Sequence, residues 1–177
     1  SLKGIVIPNS VEKIGCGAFR DCIGLLSVVV SSGLTLVEQA AFEGCVLLKT
    51  IDLPDGVTKI GWSAFERCES LVSMRLPQGL KELASSLFEG CESLQSVEFP
   101  EAVLEVPQSF FKGCESIRSL KIPNGVAEIS YAAFSGCSSL EEIDLPDTVV
   151  RIREGAFEGC ERLSSVRIPS SVLEIDG

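Results

Sequence analysis

The sequence predicts a repeat solenoid, a stack of short coils in which each coil covers the core face its neighbour leaves open. Two observations carry that expectation. Phe stands at Phe19, Phe42, Phe65, Phe88, Phe111, Phe134 and Phe157, and Cys at Cys22, Cys45, Cys68, Cys91, Cys114, Cys137 and Cys160, both at a constant step of 23 residues. A fixed period in the twenties marks stacked supersecondary units and overrides residue-by-residue assignment. The phase is also unbroken, so the 177 residues are expected to form a single domain, 1–177, of about seven and a half repeats.

One coil justifies its elements in order. In the stretch Cys68, Leu71, Met74, Leu76, Pro77, Leu80, Leu83, Leu87, Phe88, the segment Met74-Arg75-Leu76 alternates apolar and polar, which marks a short strand with one face inward. Pro77 lacks an N–H and ends that ladder. Leu80 and Leu83 are three apart, so the chain turns before a second short extended piece. The Ala-Phe-x-x-Cys element follows, with Gly before Cys at Gly44, Gly90, Gly113, Gly136 and Gly159. Glycine there takes a left-handed conformation that stops a helical turn, so a single helical or 3₁₀ turn is expected.

Composition narrows the function. Hydrophobic residues make up 45% of the chain, too many for a disordered tail, and no apolar run approaches membrane-span length. No membrane insertion is expected. A net charge of −10 argues against nucleic acid, whose binding rests on Lys and Arg. No signal-peptide pattern opens the chain, it does not begin with Met, and neither end carries a polar cap. The expectation is an excerpt of a longer array, with flanking repeats or subunits at both ends.

Seven of the eight cysteines hold one equivalent position per coil and should stack as a column. Rungs about 4.8 Å apart are close enough for a bridge by distance, but parallel Cβ vectors fit disulfide geometry poorly. They are read as buried thiols acting as small hydrophobes, which favours a reducing, intracellular compartment. Cys16 stands apart, at a position filled elsewhere by Gln39, Trp62, Ser85, Gln108, Tyr131 and Glu154. It is expected to be exposed and the most reactive thiol.

Written from the leucine, the repeat L-x-x-φ-x-φ-P-x-x-V-x-x-I-x-x-x-A-F-x-x-C resembles the BspA-type leucine-rich repeat from Leu2 to Ile175. That resemblance implies a curved right-handed leucine-rich-repeat superhelix with short parallel strands on the concave face. It also implies a protein partner, either for a surface adhesin or receptor, secreted or on the cell surface, or for an intracellular scaffold. It supplies no catalytic residue and no cofactor. Departures include Ser31, where the other coils carry Pro8, Pro54, Pro77, Pro100, Pro123, Pro146 and Pro169, and an extra Pro107 after Val106.

Candidate binding residues lie where coils differ. The outward column of the first strand runs Val6, Val29, Asp52, Arg75, Glu98, Lys121, Asp144, Arg167, alternating in sign from Asp52 on. Stacked rungs would set each charge between two opposite ones, giving a self-paired ladder that pins register, each exposed pair contributing about 0.2–1 kcal/mol. The alternative is a recognition stripe. Beside it runs a small, hydroxylated column, Gly4, Ser27, Thr50, Ser73, Ser96, Ser119, Glu142, Ser165, expected as a shallow trough for a protein ligand. In the N-terminal third, Ile23, Leu26, Val29, Leu36, Val46 and Leu47 replace residues that are mostly polar further along, so an apolar interface is expected there.

Other chemistry is thinly represented. The chain has no His, so a Ser-His-Asp triad or His-bearing zinc site is excluded. Ser10-Val11-Glu12-Lys13 matches S-x-x-K without companion motifs. The pairs Asp52/Asp55 and Asp144/Asp147 lack a calcium loop. Neither a catalytic nor a metal site is expected, and Trp62 and Tyr131, three coils apart, do not form one aromatic site.

Overall fold

The computed structural model describes residues 2–177; Ser1 lies outside them. Two strands recur in most coils. The first set is β1 (Gly4–Ile7), β3 (Ser27–Val30), β5 (Thr50–Ile51), β7 (Ser73–Arg75), β8 (Ser96–Glu98), β10 (Ser119–Lys121) and β12 (Glu142–Asp144). The second is β2 (Lys13–Ile14), β4 (Leu36–Val37), β6 (Lys59–Ile60), β9 (Glu105–Val106), β11 (Glu128–Ile129), β13 (Arg151–Ile152) and β14 (Glu174–Ile175). Every pairing is parallel and 23 residues apart, as in Arg75 opposite Glu98 and Lys121 opposite Asp144. The chain is a parallel β-solenoid, as its period predicts.

Ser31 has a direct effect on strand length. Its N–H donates to the Ile7 carbonyl at 3.2 Å, a bond no proline can make. The β1–β3 register therefore extends through Ile7 opposite Val30, where most proline-ended strands of this ladder have two or three residues.

The Ala-Phe-x-x-Cys element is not a helical turn. It is a run of hydrogen-bonded turns containing two left-handed residues four apart, such as Ser86 (φ 54°) and Gly90 (φ 72°). Left-handed residues cannot continue a right-handed helix. Instead they aim alternate N–H groups along the stack. Ser86, Phe88 and Gly90 donate to the carbonyls of Gln108, Phe110 and Lys112 at 3.0, 3.1 and 2.7 Å, while Glu89 and Cys91 bond back to Ser86 and Phe88. The element is thus a third inter-coil ladder.

The core lies between these three ladders. Phe42, Phe65, Phe88, Phe111 and Phe134 are fully buried, as are Cys45, Cys68, Cys91, Cys114 and Cys137. In the outermost coils Phe19, Cys22, Phe157 and Cys160 are partly buried against the same cluster. Successive rings stack nearly parallel, from 5.2 Å between Phe19 and Phe42 to 6.2 Å between Phe65 and Phe88. All eight thiols are free. Each column thiol from Cys45 to Cys160 donates to the carbonyl of the Phe 26 residues earlier, as Cys91 does to Phe65 at 3.1 Å. Cysteine thus combines small apolar bulk with a weak donor for a carbonyl inside the core.

The first ladder falls into three pieces, β1-β3-β5, β7-β8 and β10-β12, whereas the second ladder breaks once. Residues 81–84 form no strand, so the ladder divides into β2-β4-β6 and β9-β11-β13-β14. Pro107 stands where Gly61, Ser130, Arg153 and Asp176 each donate an N–H to the preceding coil, so the Leu83 carbonyl loses its donor. In the same place Leu87 and Phe110 fill the inward position held elsewhere by Ala41, Ala64, Ala133 and Ala156. Phe110 packs edge-on to Phe88 and Phe111, at 5.3 and 4.7 Å. Leu83 is only partly buried where Ile60 and Val106 are buried.

Candidate functional site

Period-two alternation sends Met74, Val97, Leu120 and Ile143 inward and leaves Arg75, Glu98, Lys121 and Asp144 on the outer surface of the first ladder. Asp52 and Arg167 continue the column at its ends and are exposed as well. One strand position earlier, Thr50, Ser73, Ser96 and Ser119 are exposed beside it. The two columns form one polar surface along the stack.

The charges on this surface do not pair with one another in the way the ladder reading requires. Among the described residues no two of Asp52, Arg75, Glu98, Lys121, Asp144 and Arg167 come within ion-pair distance. Arg75 turns instead to Asp55, with Nη1 donating to Oδ1 at 2.7 Å; the same oxygen accepts the Gln78 N–H at 3.1 Å. Those two hydrogen bonds, the Arg75 one foremost, hold the Asp55 carboxyl below the usual carboxylate range. Asp55 is thereby a better-organised partner for Arg75 than either neighbour in the column. Glu98, Lys121, Asp144 and Arg167 are left without an ion-pair partner among the described residues.

The surface also has a local hollow. Between the fourth and sixth coils a depression of about 430 Å³ is lined by Gln95, Ser116, Arg118, Ser119 and Ser139. Arg118 forms no ion pair among the described residues. This polar recess next to Ser119 is a feature the sequence columns do not announce, because its depth comes from small side chains of two adjacent columns.

The N-terminal apolar residues divide. Ile23, Leu26, Val29 and Leu47 are exposed, as are Leu2 and Val6, whereas Leu36 and Val46 are half-buried. Val6 and Val29 sit opposite each other in the β1–β3 register. No group of three or more metal-ligating side chains is assembled among the described residues. No helix there is long and apolar enough to cross a membrane. Cys16 is exposed, and its N–H donates to Glu38 Oε2 at 2.9 Å.

Comparison with known proteins agrees with this architecture. A family profile described as a BspA type leucine rich repeat region, in six copies, matches residues 1–118 and 104–177. The crystal structure of a T. pallidum leucine-rich repeat protein is 32% identical, with a TM-score of 0.86 over 93% of this chain and 79% of that one. A leucine-rich repeat protein from Eubacterium ventriosum is 22% identical with a TM-score of 0.64, covering 100% of this chain and 42% of that one, a likeness of fold alone. A leucine rich cell surface protein from Faecalibacterium prausnitzii is 25% identical over 99% of this chain and 59% of that one, with a TM-score of 0.48. No curated protein matches the chain.

Proposed function

From the premise that this chain belongs to the BspA-type leucine-rich repeat family, we propose that it is a protein-interaction module whose first-ladder face holds a protein ligand. The observation that carries this reading is the unspent charge on that face. Glu98, Lys121, Asp144 and Arg167 are exposed, repeat at the 23-residue step of the stack with Lys121 strand-paired opposite Asp144, and are not consumed by one another. Charges already paired are poor anchors; unpaired ones on a preorganised surface give register and partner choice. The flanking Thr50, Ser73, Ser96 and Ser119 offer short hydroxyls that accept or donate and leave room for a partner's side chains.

Repeat proteins of this class are in general non-enzymatic interaction scaffolds, and an adhesin-like or receptor-like role fits the reading. The test is capture of a partner on immobilised protein, compared between the natural chain and a Glu98→Lys, Lys121→Glu variant. The variant keeps both charges and removes no bond within the chain, so its fold should be unchanged by circular dichroism. Loss of the partner supports the face. Equal capture by both proteins sinks the reading.

A second reading, an assembly subunit gripping neighbours through its N-terminal coils, is favoured by the exposed Ile23, Leu26, Val29 and Leu47. Light scattering separates the two: concentration-dependent association of the natural chain, abolished by Val29→Asp with Leu47→Asp, belongs to this reading alone.

A further inference from the structure

The interruption in the second ladder leaves a set of backbone groups that every other coil satisfies. Thr35 and Thr58 donate their N–H to the preceding coil, as do Ala127, Val150 and Leu173 further on. Lys81 and Leu104, at the equivalent positions, make no such bond, and neither does Ala84 where Glu38 and Gly61 do. The carbonyls of Thr58 and Ile60 therefore have no backbone donor among the described residues, although the equivalent pair Thr35 and Val37 accept from Thr58 and Gly61 at 3.0 and 2.9 Å. The carbonyls of Thr58, just before β6, and of Ile60, at its end, are thus two unbonded acceptors two residues apart on the edge where the next coil would pair.

A groove of about 740 Å³ opens at that edge, between Lys59–Trp62 and Lys81–Ser85. Its charged side chains are Lys59, Lys81 and Glu82. Neither lysine has a carboxylate within 4.0 Å among the described residues. The groove therefore carries a net positive charge on a chain whose total is −10. Trp62 stands on its wall with 53% of its surface exposed. On the far side of residues 81–83 lies a separate recess of about 300 Å³, bordered by Leu104 and Glu105.

We infer that this groove is a second binding site, independent of the first-ladder face, which takes an extended acidic polypeptide segment by strand addition to β6. Only a peptide backbone presents N–H groups at the spacing that the Thr58 and Ile60 carbonyls require. Carboxylate side chains alternate toward Lys59 and Lys81, and an apolar residue between them lies on the Trp62 ring. The interior stays closed, because Leu87 and Phe110 already fill it.

The probe is a short acetylated, amidated peptide of alternating valine and aspartate, titrated into the full chain while amide chemical shifts are followed. Shifts confined to residues 58–62 and 81–85 are expected. Methylating alternate peptide nitrogens removes the donors and should weaken binding about tenfold or more. Exchanging the chain's charges with Lys59→Glu and Lys81→Glu, both at exposed positions, should weaken it by roughly tenfold. Shifts on the first-ladder face, no shifts at all, or equal binding of the N-methylated peptide would each overturn the assignment. A result either way leaves the reading of Glu98 and Lys121 untouched, since neither lies in the groove.

Discussion

The thiol of Cys91 donates to the carbonyl oxygen of Phe65 at 3.1 Å, and that same coil's Cys68 N–H reaches the oxygen at 3.2 Å. One carbonyl in the core is thus held by a backbone donor from its own coil and a side-chain donor from the next. The bond ties the two invariant positions of the repeat together across the coil boundary.

Cys91→Ala should therefore lose more than a sulfur's worth of packing. It removes a hydrogen bond contributing about 0.5–1.5 kcal/mol and leaves a small void beside Phe88. Phe88→Ala, which opens a larger cavity between stacked rings, should lower stability by about 3–5 kcal/mol. Denaturant midpoints of the two variants check the order; a Cys91→Ala midpoint equal to that of the natural chain refutes the donor role.

Alkali should unfold this chain in a particular window. Burial, before any other cause, raises the thiols of Cys45 and Cys137 to about 12 and that of Cys160 to about 11, from an ordinary 9.0. Cys68, Cys91 and Cys114 are raised well above 9.0 for the same reason. A raised thiol favours the folded state while unfolded thiols ionise more readily. Its contribution is fully present below pH 9, and stability falls as pH rises from there toward 12. Thermal melts across that range measure the slope. At pH 8 a thiol reagent should label Cys16 first and the fully buried five only on unfolding.

Arg67 occupies the left-handed position before Cys, with φ 57°, where five other coils carry glycine. A β-carbon in that conformation costs about 1–2 kcal/mol. Arg67→Gly should raise the melting midpoint despite removing a large side chain, and Gly113→Ala should lower it. The Gly113 position has φ 73°, and an added β-carbon would meet the Gly90 backbone at 3.7 Å, so backbone conformation dominates over contact.

Hydrogen exchange should find the ladder break. The amides of Lys81, Ala84 and Leu104 lack the cross-coil acceptors that Thr35, Gly61 and Ala127 possess. They should exchange much faster than those three in native protein. Equal protection would mean the ladder is continuous.

Much of this was legible in the residues. The 23-residue spacing of Phe and Cys dictates the stack, and alternation around Arg75 and Glu98 dictates which side chains face out. The turn element reads as helical in sequence because the first of its two left-handed positions carries Ala40, Ser63 or Ser86, residues with no strong local signal; bonds to the neighbouring coil select that conformation. Pairing within the charge column was likewise beyond reach, since Arg75 chooses Asp55 through a carboxylate organised by Gln78. The interruption at 81–84 did leave traces: Pro107 removes a donor, and Leu87 and Phe110 enlarge a position otherwise alanine. The effect of Pro107 and Phe110 on a segment one coil earlier is visible only once the coils are stacked.

Between β6 and residues 81–84 both strand ladders lapse at once, because β5 and β7 do not pair either, and the turn-element ladder carries that junction with isolated bonds such as the Val72 N–H to the Lys49 carbonyl. A load applied to the two ends would concentrate at this junction, the one with the fewest ladders. The molecule is in that sense a bar whose most compliant link lies at this junction. Its bending under a partner's pull would change the mouth of the Trp62 groove before it disturbed anything else.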